Sequence, residues 1–372
     1  KCLCSSGLGE DSPDVMQIVG RTLARTFEGI ERLRLTASDI ATSLALLRMV
    51  QKDKEHSQAQ ERVREAAANV GQTKSARVKY HYNRVEGMVD IDLSDPIDRD
   101  ALFSARHYMK YALAAYGWPL YALMHAGTFC CRLPACVCKT CCCDGRCGSH
   151  PAAHGDCCAC NQTAARLQAL SNSKELVFAN YQNTVCGTPF IVTTDPQRHA
   201  LVVAVRGSMS SSVCVRVVSY WGPTPTPTPA FPCSWRSHRH AWVHRGFWGA
   251  AVAIYQDLKK QNLLAHVSAS AATKDEPKVE PLLPNSDKPL SLVVTGHSLG
   301  AGVGACLAVI LKRHFPTVRA FVYAPPGATF SKSLADATSS FVLSVVLGKD
   351  MVPRLSPRTA YNLFADMVWL CV

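Results

Sequence analysis

Long hydrophobic runs are almost absent from this 372-residue chain. Only one, "SLVVTGHSLGAGVGACLAVIL" from Ser291 to Leu311, reaches the roughly 20 apolar residues that a membrane-spanning helix needs. A secretory leader is missing too. The opening "KCLCSSGLGEDSPD" has no apolar core and no initiator Met, so it reads as a start inside a longer protein. Internal repeats are lacking, which excludes solenoids and propellers. No RNA- or DNA-binding signature accompanies the net charge of +12, and the basic residues are scattered. That charge therefore points to an acidic lipid surface ahead of nucleic acid, with a high pI serving no partner as the plainer alternative. At 48% hydrophobic and 18% charged, the composition is that of a folded chain.

Eighteen cysteines would suggest a secreted disulfide scaffold, but eleven of them fall between Cys130 and Cys160. With no leader, that clustering reads as a reducing compartment. Asn161-Gln-Thr fits a glycosylation sequon, and nothing else supports secretion.

The chain divides into three expected parts. Residues 1–126 form a helical region, with apolar periodicity from Asp14 to Leu35, a capping box at Thr36–Asp39, and a helix "ALFSARHYMKYALAAYGW". Residues 127–165 form a cysteine-rich, irregular insert. Residues 166–372 alternate strands ("ELVFANYQ", "PFIVTT", "ALVVAVRG", "LSLVVTG", "RAFVYAP", "SFVLSVVLG") with helices, including a single helix "FWGAAVAIYQDLKKQNLLAHV". This alternation predicts an α/β fold with a mostly parallel sheet covered on both faces.

"GHSLG", residues 296–300, has the form G-x-S-x-G. The pattern places a serine on a strained strand-to-helix turn, with small residues where backbone meets backbone. The same stretch could be read as a membrane helix with Gly300 and Gly304 on one face. A spanning helix would centre on His297 and Ser298, however, and strand-helix alternation flanks the run on both sides. Ser298 is the expected nucleophile, and Leu299 offers a backbone N–H to an oxyanion at the start of a helix. A second donor should follow an earlier strand, and Ser208 in "VVAVRGSMS" supplies an N–H and a hydroxyl. Position also nominates an acid after a later strand: Asp350, with Asp336 as the lesser candidate.

These residues carry a resemblance. "ASDIATSLALL", "HYMKYALAAYGWPLY", "VVAVRGSMS", "VHRGF", "VVTGHSLGAG", "YAPPG" and "SFVLSVVLGKDMVPRLS" together resemble the sn-1-specific diacylglycerol lipases, class 3 lipases of α/β-hydrolase fold. The resemblance implies Ser298 as nucleophile, Asp350 as triad acid, and Ser208 and Leu299 as oxyanion-hole residues. It leaves His244 of "VHRGF" a structural part beside the elbow. It further implies hydrolysis of diacylglycerol to a 2-monoacylglycerol at the cytoplasmic face of a membrane. Family members are held there by four N-terminal transmembrane helices, just after which Lys1 is expected to lie, and calcium is associated with their activity. Oligomeric state is not implied.

Two departures stand out. All thirteen histidines precede Asp350, the last being His314, whereas the family places its catalytic histidine well beyond the acid. His297 is expected to point away from the serine, so the chain as given is expected to lack its base. After Ser210 the family pattern gives way to a Pro-Thr repeat that favours extended polyproline structure. The cysteine cluster, with His150 and His154, has enough donors for zinc, but its spacings are irregular. Zinc, S-acylation and an unstructured insert all remain open, the last favoured.

Overall fold

The computed structural model describes residues 93–125, 153, 154, 156, 160–170, 175–182, 188–207, 223–225, 241–267, 282, 283, 288–348 and 350–354, with isolated positions in both flanks. Residues 1–22 with 92–355 make one compact unit, and 23–91 with 356–372 make a second. Of the second unit only isolated positions are described, so the two helices expected before residue 51 lie outside the described residues.

Within the first unit, α1 (Pro96–Ala114) and α2 (Trp118–Met124) are followed by β1 (Ala153–His154) and α3 (Cys160–Ala169). Then come β2 (Leu176–Asn180), β3 (Phe190–Asp195), β4 (Ala200–Val205), β5 (Pro223–Pro225), β6 (Trp242–His244) and α4 (Arg245–Lys260). Next are β7 (Ser291–His297), α5 (Leu299–Lys312), β8 (Arg319–Tyr323), α6 (Lys332–Thr338) and β9 (Val342–Val345), with a 3-10 turn over Val352–Arg354 after them. Seven strands form one sheet in the order β1-β2-β3-β4-β7-β8-β9. β4, β7, β8 and β9 run parallel, while β2-β3 and β3-β4 are antiparallel hairpin-type neighbours. This is the α/β-hydrolase arrangement.

Alternation along the strands sorts the core into two layers. Leu201, Val203 and Val205 of β4 join Leu292 and Val294 of β7 on one face, with α4 and α5. Ala200, Val202 and Ala204, with Val293 and Phe321, form the other face, where Ala105, Tyr108, Tyr111 and Ala112 of α1 cover them. The helix α1 is thus one of the two covers of the sheet. Tyr108 stacks on Phe321 with ring centroids 4.9 Å apart, the Tyr323 hydroxyl donates to the Ala105 carbonyl, and His107 Nε2 lies 2.6 Å from Asp195 Oδ2.

The apolar run that could have spanned a membrane is a strand followed by a 14-residue helix. Its hydrophobicity on every side reflects burial. Residues 299–309 and Leu311 of α5 are all buried, between the sheet and α4. Among the described residues no helix is long and apolar enough to cross a membrane.

Several expected elements differ in detail. The stretch expected to be one helix to Val267 stops at Lys260, because Asn262 adopts φ 52°, and resumes as a 3-10 turn over Leu263–His266. The start of the Pro-Thr repeat, Pro223–Pro225, pairs antiparallel with Trp242–His244. Extended proline backbone is close to strand geometry, and Thr224, which keeps its N–H, stands opposite Val243.

The expected irregular insert ends in order. β1 is the sheet's edge strand, and the Asp156 carboxylate caps α3, accepting from the Asn161 N–H at 3.1 Å and the Gln162 N–H at 2.9 Å. Asn161, 3% exposed, accepts from the Trp118 N–H at 3.3 Å and so joins α3 to the start of α2. A buried asparagine in that role is not a glycan acceptor. Cys160 opens α3, and the other cysteines of the cluster lie outside the described residues.

In the interface between α4 and α5, Phe247 lies over Gly302, where a Cβ would sit 2.8 Å from its ring. Phe247→Ala should cost about 3–5 kcal/mol by emptying this contact, read as a fall in the urea midpoint at unchanged slope.

Candidate active site

The parallel strands β4, β7, β8 and β9 end at one edge of the sheet, in register: Val205 opposite Gly296, His297 opposite Tyr323, Tyr323 opposite Val345. Open α/β sheets bind ligands outside the carboxyl ends of their strands. Ser298 stands at this edge, between β7 and α5, with φ 56° and ψ −127°. That backbone is unfavourable for a residue with a Cβ, and persists only where the surroundings over-determine it. Here its N–H donates to the Tyr323 carbonyl at 2.9 Å, and its own carbonyl accepts from Ala301 at 2.9 Å.

The two glycines of the pattern have separate reasons. A Cβ on Gly296 would strike the Gly300 peptide, 2.6 Å from its carbonyl carbon. A Cβ on Gly300 would lie 2.7 Å from the Arg206 carbonyl carbon, inside the backbone at the end of β4. Because both positions lack a side chain, the first turn of α5 presses directly against the strand end that precedes residue 208. The first N–H groups of a helix have no intrahelical acceptor, and Leu299 carries the first of them in α5. Ser208 itself lies outside the described residues. Its neighbour Gly207 is described, packed under the Tyr116 ring, where an added Cβ would lie 2.6 Å from the His297 carbonyl oxygen.

Asp350 follows β9 at the same edge. Its carboxylate accepts from the Val352 N–H at 3.0 Å, and its carbonyl accepts from Arg354, which also donates to the Gly348 carbonyl at 3.0 Å. The loop that presents the acid is therefore closed by one arginine. Asp336, the lesser candidate, lies on α6 in an exposed pair with Lys332 at 3.5 Å, which is worth little.

His244 caps α4: its Nδ1 accepts from the Phe247 N–H at 3.3 Å, its ring packs on Phe247, and it is 3% exposed. Through Phe247 it braces the elbow helix. His297 turns to the opposite side of the elbow, where Nδ1 lies 2.8 Å from the Tyr116 hydroxyl. Burial pushes its pKa below the ordinary range, and the charge of Asp350 pulls the other way. Arg206 is 3% exposed, its pKa lowered by burial against the pull of Tyr116 and Tyr181. Tyr116 and Arg206 were not expected as site residues, since nothing in their spacing marks them. Among the described residues no three His, Cys, Asp or Glu side chains group as metal ligands, and no step is assigned to calcium.

Residues 202–360 match the class 3 lipase family. The chain is 29% identical over 361 residues to diacylglycerol lipase-alpha of Rattus norvegicus, covering 95% of this chain and 31% of that protein. It is 32% identical over 253 residues to diacylglycerol lipase-beta of Mus musculus, covering 68% of this chain and 34% of that one. The chain thus spans about a third of the length of these curated relatives. A solved structure, the lipase from Rhizopus microsporus var. chinensis, aligns at 16% identity and a TM-score of 0.41, over 75% of this chain and 81% of that one. The class 3 match takes in β7, the elbow, α5, β9 and Asp350, and leaves α1 and Tyr116 outside it.

Burial lowers the pKa of both His266 and His297, so each holds a smaller share of protons in the folded chain than its free value of about 6.5 would give. Their contribution to stability is complete above that value and is lost as pH falls through the folded pKa. The melting temperature should therefore drop between pH 7.5 and pH 5. The double variant His266→Asn, His297→Asn should show a flatter profile in the same scanning experiment.

Proposed function

We propose that this chain is the catalytic region of a serine lipase that hydrolyses the sn-1 ester of diacylglycerol at a membrane surface. The observation that carries the reading is Ser298, held at φ 56° between a buried strand and the N-terminus of a buried helix. Similarity to diacylglycerol lipases along most of the chain supports the substrate class.

In this reading the Ser298 hydroxyl attacks the ester carbonyl, and the oxyanion that forms accepts hydrogen bonds from Leu299 and from Ser208. Collapse of the tetrahedral intermediate expels the 2-monoacylglycerol and leaves an acyl-enzyme, which water then hydrolyses. Asp350 would orient an imidazole that takes the serine proton and returns it to the departing glycerol oxygen. β9 stands two strands from β7, roughly 10 Å at the usual interstrand spacing, which leaves space for a ring between acid and serine.

No histidine follows Asp350 in residues 351–372, and His297 is engaged by Tyr116 on the far side of the elbow. Among these 372 residues the imidazole that Asp350 would orient is not identified. A triad missing one member keeps roughly 10³- to 10⁴-fold acceleration over water, from the oxyanion hole and binding. With His297 held by Tyr116, a second reading is a surface protein that keeps the fold without turnover. The positive net charge suits docking on anionic lipid at the cytoplasmic face.

The test uses diacylglycerol and triacylglycerol in anionic vesicles, together with a fluorophosphonate probe. Slow release of the sn-1 acyl chain from diacylglycerol is expected, with weak labelling that Ser298→Ala abolishes. Equal rates on triacylglycerol would widen the substrate to acylglycerols at large. Hydrolysis and labelling both unaffected by Ser298→Ala would sink the serine-lipase reading. Turnover at full lipase rates would overturn the second reading.

A further inference from the structure

We propose that Tyr116, at the end of α1, is a positioning residue that ties the peptide carrying Ser298 to the end of β4. Its hydroxyl oxygen lies 2.8 Å from His297 Nδ1 and 3.4 Å from the His297 carbonyl oxygen, directly before the serine. The same hydroxyl occupies the space over Gly207, where a Cβ would stand 2.8 Å from Tyr116 Cζ. One side chain therefore touches both backbone segments that lead into the oxyanion donors: His297, before Ser298 and Leu299, and Gly207, before Ser208.

The chemistry of the pair is suited to fixing a position. Tyr116 is 6% exposed, and burial holds its hydroxyl pKa well above the ordinary value, so it stays protonated at neutral pH. His297 is pushed toward its neutral form by burial. A neutral imidazole has one N–H and one lone pair, so a hydroxyl at hydrogen-bond distance from Nδ1 selects one tautomer and one ring orientation. The ring is attached to the residue whose carbonyl packs on Gly207, so fixing the ring fixes the separation of the two segments.

The position of Tyr116 is set along the length of α1. Tyr108 stacks on Phe321 of β8, and the Tyr323 hydroxyl donates to the carbonyl of Ala105. At the far edge of the sheet, His107 meets Asp195 at 2.6 Å and Arg198 donates to Ser104 Oγ at 2.8 Å. The helix is pinned to β8, β3 and the turn between β3 and β4, and the turn that follows it delivers the hydroxyl to the elbow. α1 lies outside the stretch that matches class 3 lipases, so the elbow of this chain is braced by a helix from beyond that match.

Only the rate readout of the test rests on the lipase reading; the geometry does not. Tyr116→Phe keeps the ring over Gly207 and removes the hydrogen bond. With the full chain labelled by ¹⁵N-histidine, NMR should show His297 in one tautomer in the parent and in interconverting tautomers in Tyr116→Phe, with a shifted titration. Ser298→Ala should leave the single tautomer in place. Hydrolysis of a soluble ester should lose roughly tenfold in kcat or more at unchanged KM, at a melting temperature close to the parent's. Identical His297 signals in parent and Tyr116→Phe would overturn the proposal. So would a rate loss explained by an equal loss of folded protein. A parent with no turnover at all would count against the lipase reading alone, and the tautomer result would still decide the role of Tyr116.

Discussion

The close approach of the first turn of α5 to the end of β4 is the contact on which the site depends. It is backbone against backbone. Gly300 lies where any Cβ would enter the Arg206 peptide, and Gly296 lies where one would enter the Gly300 peptide. With those positions bare, the chain turns from strand to helix within one residue, and that residue takes the strained conformation. A φ of 56° at Ser298 is tolerated because neighbours on both sides hold it: Tyr323 accepts its N–H, and Ala301 donates to its carbonyl. The same approach brings the helix N-terminus, with its partial positive charge, to the strand edge where an oxyanion would form.

The remaining architecture keeps that junction in place. α5 is buried over nearly all its length, so its alignment is set by packing on two sides: the sheet, and α4 through Phe247 and His244. The opposite face of the sheet is covered by α1, whose tyrosines serve as apolar bulk and as hydrogen-bonding groups. Burial raises the pKa of Tyr108 to about 12 and holds Tyr323 and Tyr116 well above the ordinary value, so these hydroxyls remain donors at any physiological pH. The sheet is thus clamped between a close-packed apolar layer and a layer that also carries directional bonds to the elbow.

Much of this arrangement was legible in the residues. The alternation of Leu201, Val203 and Val205 with Ala200, Val202 and Ala204 marks a strand buried on both faces, and the Gly-x-Ser-x-Gly pattern between strand and helix marks the elbow. The signal was ambiguous where periodicity alone had to decide. The run from Ser291 to Leu311 is apolar for a reason a membrane would also give, and only its packing between sheet and α4 separates the two. The helix break at Asn262 and the strand within the Pro-Thr repeat were not visible, because each depends on a local backbone choice that the sequence pattern leaves free.

The sequence by itself determined the alternation of the central strands with their helices and the strained serine between strand and helix. These depend on residue type at short spacing, which pattern carries directly. Tertiary structure alone decided which groups meet across the chain. Tyr116 and His297 are 181 residues apart, and Trp118 and Asn161 are 43 apart. No local rule encodes such pairs, since they form only when a helix from early in the chain lies down on a sheet completed near its end.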